Sequence, residues 1–258
     1  MKLNLGDDRN ACIVGIGRSV ISRDSGKTAV ALATDACVAA IRDAGLTAAD
    51  VDGIATNEMG GINGYQLREA LGLPEVNWYG QMNLPQVTAT FSLIEAAMAV
   101  EYGAAKYVVV VMGSMKPRGN GSRHDPFAGI VGRPRMGGEA QWSMPFGGNG
   151  FGFVYWMSRY MAQYNAPRET FGHVSVTARK HAGLNERAIA RTPLRMDDYL
   201  DSRWISKPFC LYDCDYPVDG YGAVVITTPE RARALKNRPV SIIAGAQNTG
   251  PRTETMLW

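Results

Sequence analysis

Short apolar runs alternate with segments of helical periodicity along the first half of the chain. Residues 11–15 form a compact apolar run that ends in glycine, and residues 107–112 form a run dominated by valine. Both runs are typical of buried strands, the second of a strand covered on both faces. Residues 28–44 and 85–102 place apolar side chains at helical spacing. This alternation predicts βαβ crossovers and an α/β sheet.

The pattern breaks between residues 116 and 152, where glycine, proline and arginine are concentrated. So long a loop inside a compact domain is usually functional or disordered. Helical periodicity and apolar runs resume after it. Before the loop, the further predicted strands are 51–55 and 76–79 and the further predicted helix is 65–71. After the loop, the predicted strands are 222–227 and 240–244, and the predicted helices are 153–164, 168–182 and 229–235.

Composition narrows the classes of protein that fit this pattern. The chain has 258 residues with 46% hydrophobic and 20% charged residues, which argues against extensive disorder. A net charge of +3 is too balanced for a dedicated nucleic-acid-binding protein. No apolar run approaches the ~20 residues that span a bilayer, and the N-terminus lacks the apolar stretch of a signal peptide. Four scattered cysteines favour a reducing compartment, so we expect a cytoplasmic protein without a membrane anchor.

Two glycine-rich segments resemble parts of phosphate-binding motifs. Gly15 and Gly17 follow the first strand, but Val20 stands where a dinucleotide fingerprint needs its third glycine, so a strand-end turn is the favoured interpretation. Residues 146–152 are rich in glycine but lack the Gly-Lys-Ser/Thr ending of a P-loop. Aromatic residues flank this second segment, which favours an apolar pocket wall or a subunit contact. We therefore predict no bound cofactor.

Metal ligands and a serine nucleophile are not evident either. The three histidines, His124, His173 and His181, have no partners at zinc spacing. Cys210 and Cys214 could form half of a metal site, but the chain offers no second pair. No Gly-x-Ser-x-Gly motif is present for a histidine-based triad. We predict no metal site.

The densest group of polar side chains comes directly before the predicted strand 222–227. Open α/β folds place their sites at the mouths of such strands, so a functional site is the favoured interpretation. The alternative is a turn stabilised by aspartate side chains. The group contains two thiols, three carboxylates and three phenols: Cys210, Cys214, Asp213, Asp215, Asp219, Tyr212, Tyr216 and Tyr221.

Several motifs are similar to those of thiolases. The first strand with Gly15-Ile16-Gly17-Arg18 resembles the opening strand of that family, and the helix leading to Gly103 with the following valine run resembles its nucleophile helix and next strand. Two further stretches resemble the family, Asp43-Ala44-Gly45-Leu46 and Ala49-Asp50-Val51-Asp52-Gly53.

Later motifs resemble one branch, the sterol-carrier-protein-x or lipid-transfer-protein type of thiolase-like proteins of lipid and steroid degradation. These motifs are Trp142-Ser143-Met144-Pro145-Phe146-Gly147, Arg159-Tyr160-Met161, Ser202-Arg203-Trp204-Ile205 and Asp213-Cys214-Asp215-x-Pro217-x-x-Gly220. The resemblance implies a thiolase-like layered α/β fold, with an N-terminal core at 10–115 and a loop-domain insertion at 116–207. Residues 208–258 are expected to return to the core and begin the link to a C-terminal half that this chain lacks.

The sequence departs from thiolases at the position of their nucleophilic cysteine. Gln86 stands there, and an amide cannot form an acyl-thioester. The steroid side-chain aldolases of this branch cleave a β-hydroxyacyl-CoA by retro-aldol chemistry, which needs a base and hydrogen-bond donors but no covalent nucleophile. The resemblance implies that tyrosines act as acid and base. The candidate catalytic residues are Tyr216, Tyr212, Tyr221 and Asp215, with Asp213 as a second orienting acid, and the candidate substrate-binding residues are Gln86, Trp142, Met144 and Phe146.

The resemblance also implies partners. We expect an acyl-CoA substrate, a homodimer, and a small partner protein with an OB fold and a zinc ribbon. Two alternatives to the aldolase remain open. One is a thiolase-type acetyl-CoA acyltransferase, which Gln86 disfavours, and the other is a non-catalytic subunit that binds acyl-CoA or lipid.

Overall fold

The computed structural model describes residues 11–57, 62–82, 88–115 and 151–246. The described residues divide between two compact units. The first unit comprises the described residues up to 115 together with residues 218–246, and the second comprises residues 151–217. The segment of candidate acid and base residues is therefore divided between the units after Pro217.

The predicted helices and strands lie close to their observed positions, so the alternating pattern is confirmed, whereas the helix at Met196–Leu200 and the strands at Trp204–Ser206 and Phe209–Cys210 were not predicted. The last predicted helix and strand are shorter than expected, at four and two residues. The elements are β1 (Cys12–Arg18), α1 (Ala29–Asp43), β2 (Gly53–Asn57), α2 (Gly64–Leu71), β3 (Trp78–Met82), α3 (Thr88–Glu101), β4 (Val108–Ser114), α4 (Phe151–Tyr164), α5 (Arg168–Gly183), α6 (Met196–Leu200), β5 (Trp204–Ser206), β6 (Phe209–Cys210), β7 (Gly220–Thr227), α7 (Pro229–Ala232) and β8 (Val240–Ser241).

The first unit contains a six-stranded mixed sheet in the order β3-β2-β4-β7-β1-β8. β2 pairs in parallel with β3 and β4, as the predicted βαβ crossovers require. β7 is antiparallel to both of its neighbours, β4 and β1, and β8 is antiparallel to β1. The predicted α/β class is confirmed, with β4 inside the sheet and paired on both sides.

The valine run of β4 is buried because the sheet has a hydrophobic cluster on each face. Val109 and Val111 pack in the cluster that contains α1, whereas Val108 and Val110 pack in the cluster that contains α3. Each fully buried valine, leucine or isoleucine stabilises the fold by about 1.5–3 kcal/mol relative to an exposed one. Burial on both faces thus accounts for the absence of hydrophobic alternation in this strand.

Gly15 and Gly17 lie inside β1, and their interpretation as a strand-end turn is wrong. A Cβ atom on Gly15 would lie 2.3 Å from the carbonyl oxygen of Ala40, and one on Gly17 would lie 2.2 Å from that of Ala36. The two glycines therefore let the backbone of α1 lie directly against β1. Small residues on the facing side of the helix, such as Ala36 and Ala40, permit the same close approach.

The second unit combines three helices with the two-stranded β5–β6 hairpin. Gly172 of α5 allows close contact with α6, because a Cβ there would lie 2.6 Å from Met196 Sδ and 2.8 Å from the ring of Tyr199. Tyr160 of α4 makes an edge contact with Phe171 of α5, with 5.8 Å between ring centroids. Among the residues that the structure describes, no helix combines the length and apolar character needed to cross a membrane.

Candidate functional site

The structure places the candidate acid and base residues in two separate settings. Tyr212, Asp215 and Tyr216 belong to the second unit, and Tyr221 belongs to the first. The candidate substrate-binding residues, Gln86, Trp142, Met144 and Phe146, lie outside the described residues.

In the second unit, a single 3-10 turn over Leu211–Asp213 follows β6 and carries Tyr212. The Asp213 carboxylate closes this turn, because its Oδ2 accepts a hydrogen bond from the backbone N–H of Cys210 at 2.7 Å. Its Oδ1 accepts a second bond from the hydroxyl of Tyr199 at 2.6 Å. Asp213 thus stabilises a turn, which was the alternative to a direct chemical role for such aspartates.

Tyr199 is a functional candidate that the sequence did not reveal. It lies on α6, its side chain is fully buried, and its pKa is raised by burial and by the neighbouring Asp213 carboxylate. The phenol therefore stays protonated and acts as a permanent hydrogen-bond donor. No short-range motif links it to Asp213, which lies 14 residues further along the chain.

Tyr212 is held by α5 through both its backbone and its ring. The Ser175 hydroxyl donates a hydrogen bond to the Tyr212 carbonyl oxygen at 2.8 Å. The Arg179 guanidinium carbon lies 5.8 Å from the centroid of the Tyr212 ring, within reach of a cation–π interaction. These contacts fix the position of the turn on the surface of α5.

Tyr216 is the more accessible of the two phenols in this segment. Its side chain is 46% exposed, whereas Tyr212 is half-buried. The neighbouring Asp215 is also exposed. An exposed phenol next to a carboxylate can reach a substrate, as an acid or a base must.

The two cysteines of this segment are not activated as nucleophiles. Cys210 is fully buried. The pKa of Cys214 is raised by burial and by the charges of Asp213 and Asp215, so the thiol stays protonated at neutral pH. Within residues 11–57, 62–82, 88–115 and 151–246, no group of three histidine, cysteine or carboxylate side chains is arranged to hold a metal ion.

In the first unit, Tyr221 lies on β7 with only 3% of its surface exposed. Its backbone N–H donates to the Ser19 hydroxyl at 2.9 Å, and its carbonyl oxygen accepts from the Ser19 N–H at 2.9 Å. Burial and the charge of Asp219 raise the pKa of Tyr221 to about 12. At neutral pH this phenol is suited to donate a proton or a hydrogen bond rather than to accept a proton.

Asp219 is fully buried and fastens the loop that precedes α1. Its Oδ2 accepts hydrogen bonds from the Ser25 N–H at 2.9 Å and from the Ser25 hydroxyl at 2.8 Å. Its backbone also exchanges two hydrogen bonds with Ser22, at 2.7 and 3.0 Å. These bonds order the loop at the mouth of β7, which is where the sequence predicted a site.

An open apolar groove lies on the face of the sheet that carries α3. Its volume is about 290 Å³, and its walls contain no charged side chain among the lining residues. The exposed Ile16 of β1 forms one edge. The lining residues are Ile16, Gly17, Leu93, Val110, Met112, Gly222, Ala223 and Val224.

Stability at alkaline pH should report on the buried Tyr221 phenol. Its pKa of about 12 lies above the ordinary value of 10.0, so its contribution is fully present below pH 10 and is lost as the pH rises through 12. For one such phenol the free energy of unfolding falls by at most about 1.4 kcal/mol per pH unit in that window. Urea denaturation of wild type and Tyr221→Phe at pH 8 and pH 11 should show a smaller loss for the variant. An equal loss in both proteins would contradict this assignment.

Several residues that carry the family resemblance have structural roles. Asp52 Oδ1 accepts hydrogen bonds from the backbone N–H groups of Lys106 at 2.7 Å and Tyr107 at 2.9 Å, so the carboxylate aligns the start of β2 with the start of β4. Asp43 Oδ2 accepts from the N–H of Ile16 at 3.0 Å. Gly45 has a φ of 76°, a left-handed conformation that favours glycine after α1.

Sequence comparison identifies steroid-cleaving enzymes as relatives. No protein-family model matches the chain. It is 36% identical over 249 residues to a steroid side-chain-cleaving aldolase of Thermomonospora curvata, covering 93% of this chain and 62% of the relative. It is 35% identical over 250 residues to a 17-hydroxy-3-oxo-4-pregnene-20-carboxyl-CoA lyase of Mycobacterium tuberculosis, covering 96% of this chain and 65% of the relative. The chain thus spans slightly less than two thirds of the length of these relatives.

Solved structures show the same relationship in three dimensions. The Ltp2-ChsH2(DUF35) aldolase matches with a TM-score of 0.83 and 33% identity, covering 96% of this chain and 63% of that one. A monomeric SCP2-thiolase-like protein of Mycobacterium smegmatis matches with a TM-score of 0.69 and 18% identity, covering 90% of this chain and 48% of that one. The comparisons confirm the resemblance predicted from the sequence: the chain has the thiolase-like fold, and its sequence is similar to those of a steroid side-chain-cleaving aldolase and a CoA lyase.

Proposed function

We propose that this protein takes part in the retro-aldol cleavage of a β-hydroxyacyl-CoA in steroid side-chain degradation. The observation that carries the proposal is identity of 36% and 35%, over 93% and 96% of this chain, to an aldolase and a CoA lyase of that chemistry. In the lyase's named substrate, the thioester carbonyl is attached to carbon 20, so carbon 20 is the α carbon and the hydroxyl on the neighbouring carbon 17 is a β-hydroxyl. That arrangement is the one a retro-aldol reaction requires.

The reaction moves one proton and breaks one carbon–carbon bond. A base removes the proton of the β-hydroxyl, the C–O bond becomes a carbonyl, and the Cα–Cβ bond breaks. Its electron pair passes into the thioester as an enolate, which is then protonated at Cα. The products are a ketone or aldehyde and a shorter acyl-CoA, so no other reactant is consumed and no enzyme nucleophile is needed.

The candidate residues divide between these steps according to their surroundings. Tyr216, exposed beside Asp215, is our first choice for the group that exchanges the hydroxyl proton. Tyr212 is the second, because its ring lies near the Arg179 guanidinium. The raised pKa of Tyr221 keeps this phenol protonated, so its proposed role is that of a hydrogen-bond donor rather than of a base. We further propose that Gln86, Trp142, Met144 and Phe146 contact the acyl-CoA.

Assembly is the second part of the proposal. One structural relative is a complex of Ltp2 with ChsH2, a DUF35 protein. We propose that this chain likewise works with a small OB-fold, zinc-ribbon partner and as a homodimer. Light scattering of the chain alone and mixed with such a partner should show both assemblies, and a stable monomer in both samples would contradict this part.

The consumption of free CoA distinguishes the aldolase from the thiolase alternative. The full-length protein, its partner and a β-hydroxyacyl-CoA should yield a carbonyl product and a shorter acyl-CoA without added CoA. Mass spectrometry should find no acyl group on residues 85–102, where Gln86 replaces the thiolase cysteine. Cleavage of a β-ketoacyl-CoA that depends on free CoA, with an acyl group on Cys210 or Cys214, would favour an acyltransferase. Binding of acyl-CoA without cleavage would favour a non-catalytic subunit.

A further inference from the structure

Asp213 is the central acceptor of a hydrogen-bonded network in the second unit. Both carboxylate oxygens are used, one by the Tyr199 hydroxyl at 2.6 Å and one by the Cys210 N–H at 2.7 Å. A short O–H···O⁻ bond of this kind is about twice as strong as a bond between neutral groups. Since Tyr199 is fully buried, the bond is also shielded from competition by water.

Tyr199 is itself held firmly in place. Its ring lies against Gly172 of α5, where a Cβ would come within 2.8 Å. The Arg168 guanidinium carbon lies 5.4 Å from its centroid, and an Arg168 N–H donates to the Leu200 carbonyl oxygen at 3.0 Å. Arg168 also stacks over Trp204, with 4.1 Å between the guanidinium carbon and the ring centroid. The Tyr199 hydroxyl is therefore a fixed donor on a rigid support.

The network ends at the segment that carries the candidate acid and base groups. Asp213 directly follows Tyr212 and precedes Asp215 and Tyr216 by two and three residues. The same turn is held on its other side by the Ser175 hydroxyl, which donates to the Tyr212 carbonyl oxygen. Displacing Asp213 would therefore displace the neighbouring phenols.

We propose that Tyr199 and Asp213 form a positioning pair that sets the conformation of residues 211–216 for carbon–carbon cleavage. This inference rests on the proposed function, and neither residue of the pair touches the reacting atoms. Removing the Tyr199 hydroxyl leaves the buried side of Asp213 without its donor, and the turn then relaxes away from its catalytic position. Misplacement of catalytic groups by about 1 Å can lower a rate about 100-fold.

The test compares Tyr199→Phe with wild type in the presence of partner protein and β-hydroxyacyl-CoA, well below both melting temperatures. Per folded molecule, kcat should fall about 10- to 100-fold while KM stays within about twofold. Tyr164→Phe is the matched control, because its hydroxyl accepts only a surface hydrogen bond from Gln163 at 3.2 Å among the contacts of the described residues. This control should keep the wild-type kcat.

Two further variants separate positioning from stability. Asp213→Asn keeps the shape and one acceptor, so it should retain more activity per folded molecule than Asp213→Ala. If the two residues act as one unit, adding Tyr199→Phe to Asp213→Ala should cause no further loss. An active wild type with an unchanged kcat in Tyr199→Phe would overturn the positioning pair alone. An inactive wild type would overturn the proposed function and this inference together.

Discussion

Replacing Gly17 with alanine is expected to lower the free energy of unfolding of the first unit by about 3 kcal/mol or more. The new Cβ would lie 2.2 Å from the Ala36 carbonyl oxygen and 2.2 Å from the Ala40 nitrogen. Both are backbone atoms of α1, so no side-chain rotation can relieve the contact. The helix must move away from β1 and loosen the cluster that contains Leu32 and Val14. Urea denaturation followed by circular dichroism measures the loss.

Gly222→Ala is the matched control for this change. Gly222 lies on β7, the strand that neighbours β1, and pairs with Arg18 of β1. The nearest atom to a Cβ added at Gly222 is nevertheless the Gly17 carbonyl oxygen, at 3.9 Å. The contact is ordinary, and alanine restricts the unfolded chain more than glycine does. We expect a change within about 1 kcal/mol of wild type. Equal stability of the two variants would show that α1 does not lie against β1 at the distance described.

Removing the Tyr216 hydroxyl is expected to produce the largest loss of activity. If this phenol transfers the proton of the substrate hydroxyl, Tyr216→Phe should lower kcat by about 10²- to 10⁴-fold. The ring is retained, so stability should change by only about 0.5–1.5 kcal/mol even where a hydrogen bond is lost. Turnover and thermal unfolding are measured on the same sample, with the partner protein present.

Tyr102→Phe controls for the loss of an exposed tyrosine hydroxyl, because Tyr102 is 80% exposed at the end of α3. This variant should be fully active. Tyr212→Phe and Tyr221→Phe complete the series and rank the three candidate phenols. Unchanged turnover in all three variants would remove this segment from the catalytic machinery.

The sequence was sufficient for the alternating strands and helices of the first unit and for the fold class, because their signals are local or repeated. The valine run of β4 and the helical spacing of α1 each require burial in a particular geometry, and the structure confirms both. The antiparallel orientation of β7 was not predictable. A strand that is buried on both faces has the same hydrophobic pattern whether it is parallel or antiparallel to its neighbours.

The organisation of the candidate site was predictable only in part. The clustering of polar residues before β7 predicts a functional site there, which stays a prediction, and it did not separate Tyr221, a core residue, from the exposed Tyr216. No sequence motif marks Tyr199 as a candidate, because its partner Asp213 lies close to it only in the folded protein. The prediction of a strand-end turn at Gly17 is wrong because the sequence does not distinguish a glycine required for close helix packing from a glycine required for a turn.

The location of β7 has a consequence for the order in which the protein can assemble on the ribosome. This strand lies between β4 and β1, yet it is synthesised only after residues 151–217 of the second unit. Until Thr227 has emerged, β1 lacks its partner in register and β4 exposes one hydrogen-bonding edge. Closing so long a loop carries an entropic cost that the strand pairs must offset. The first unit therefore cannot complete its sheet until the residues of β7 have been synthesised. Until then, its unpaired strand edges are the surfaces that a chaperone would have to shield.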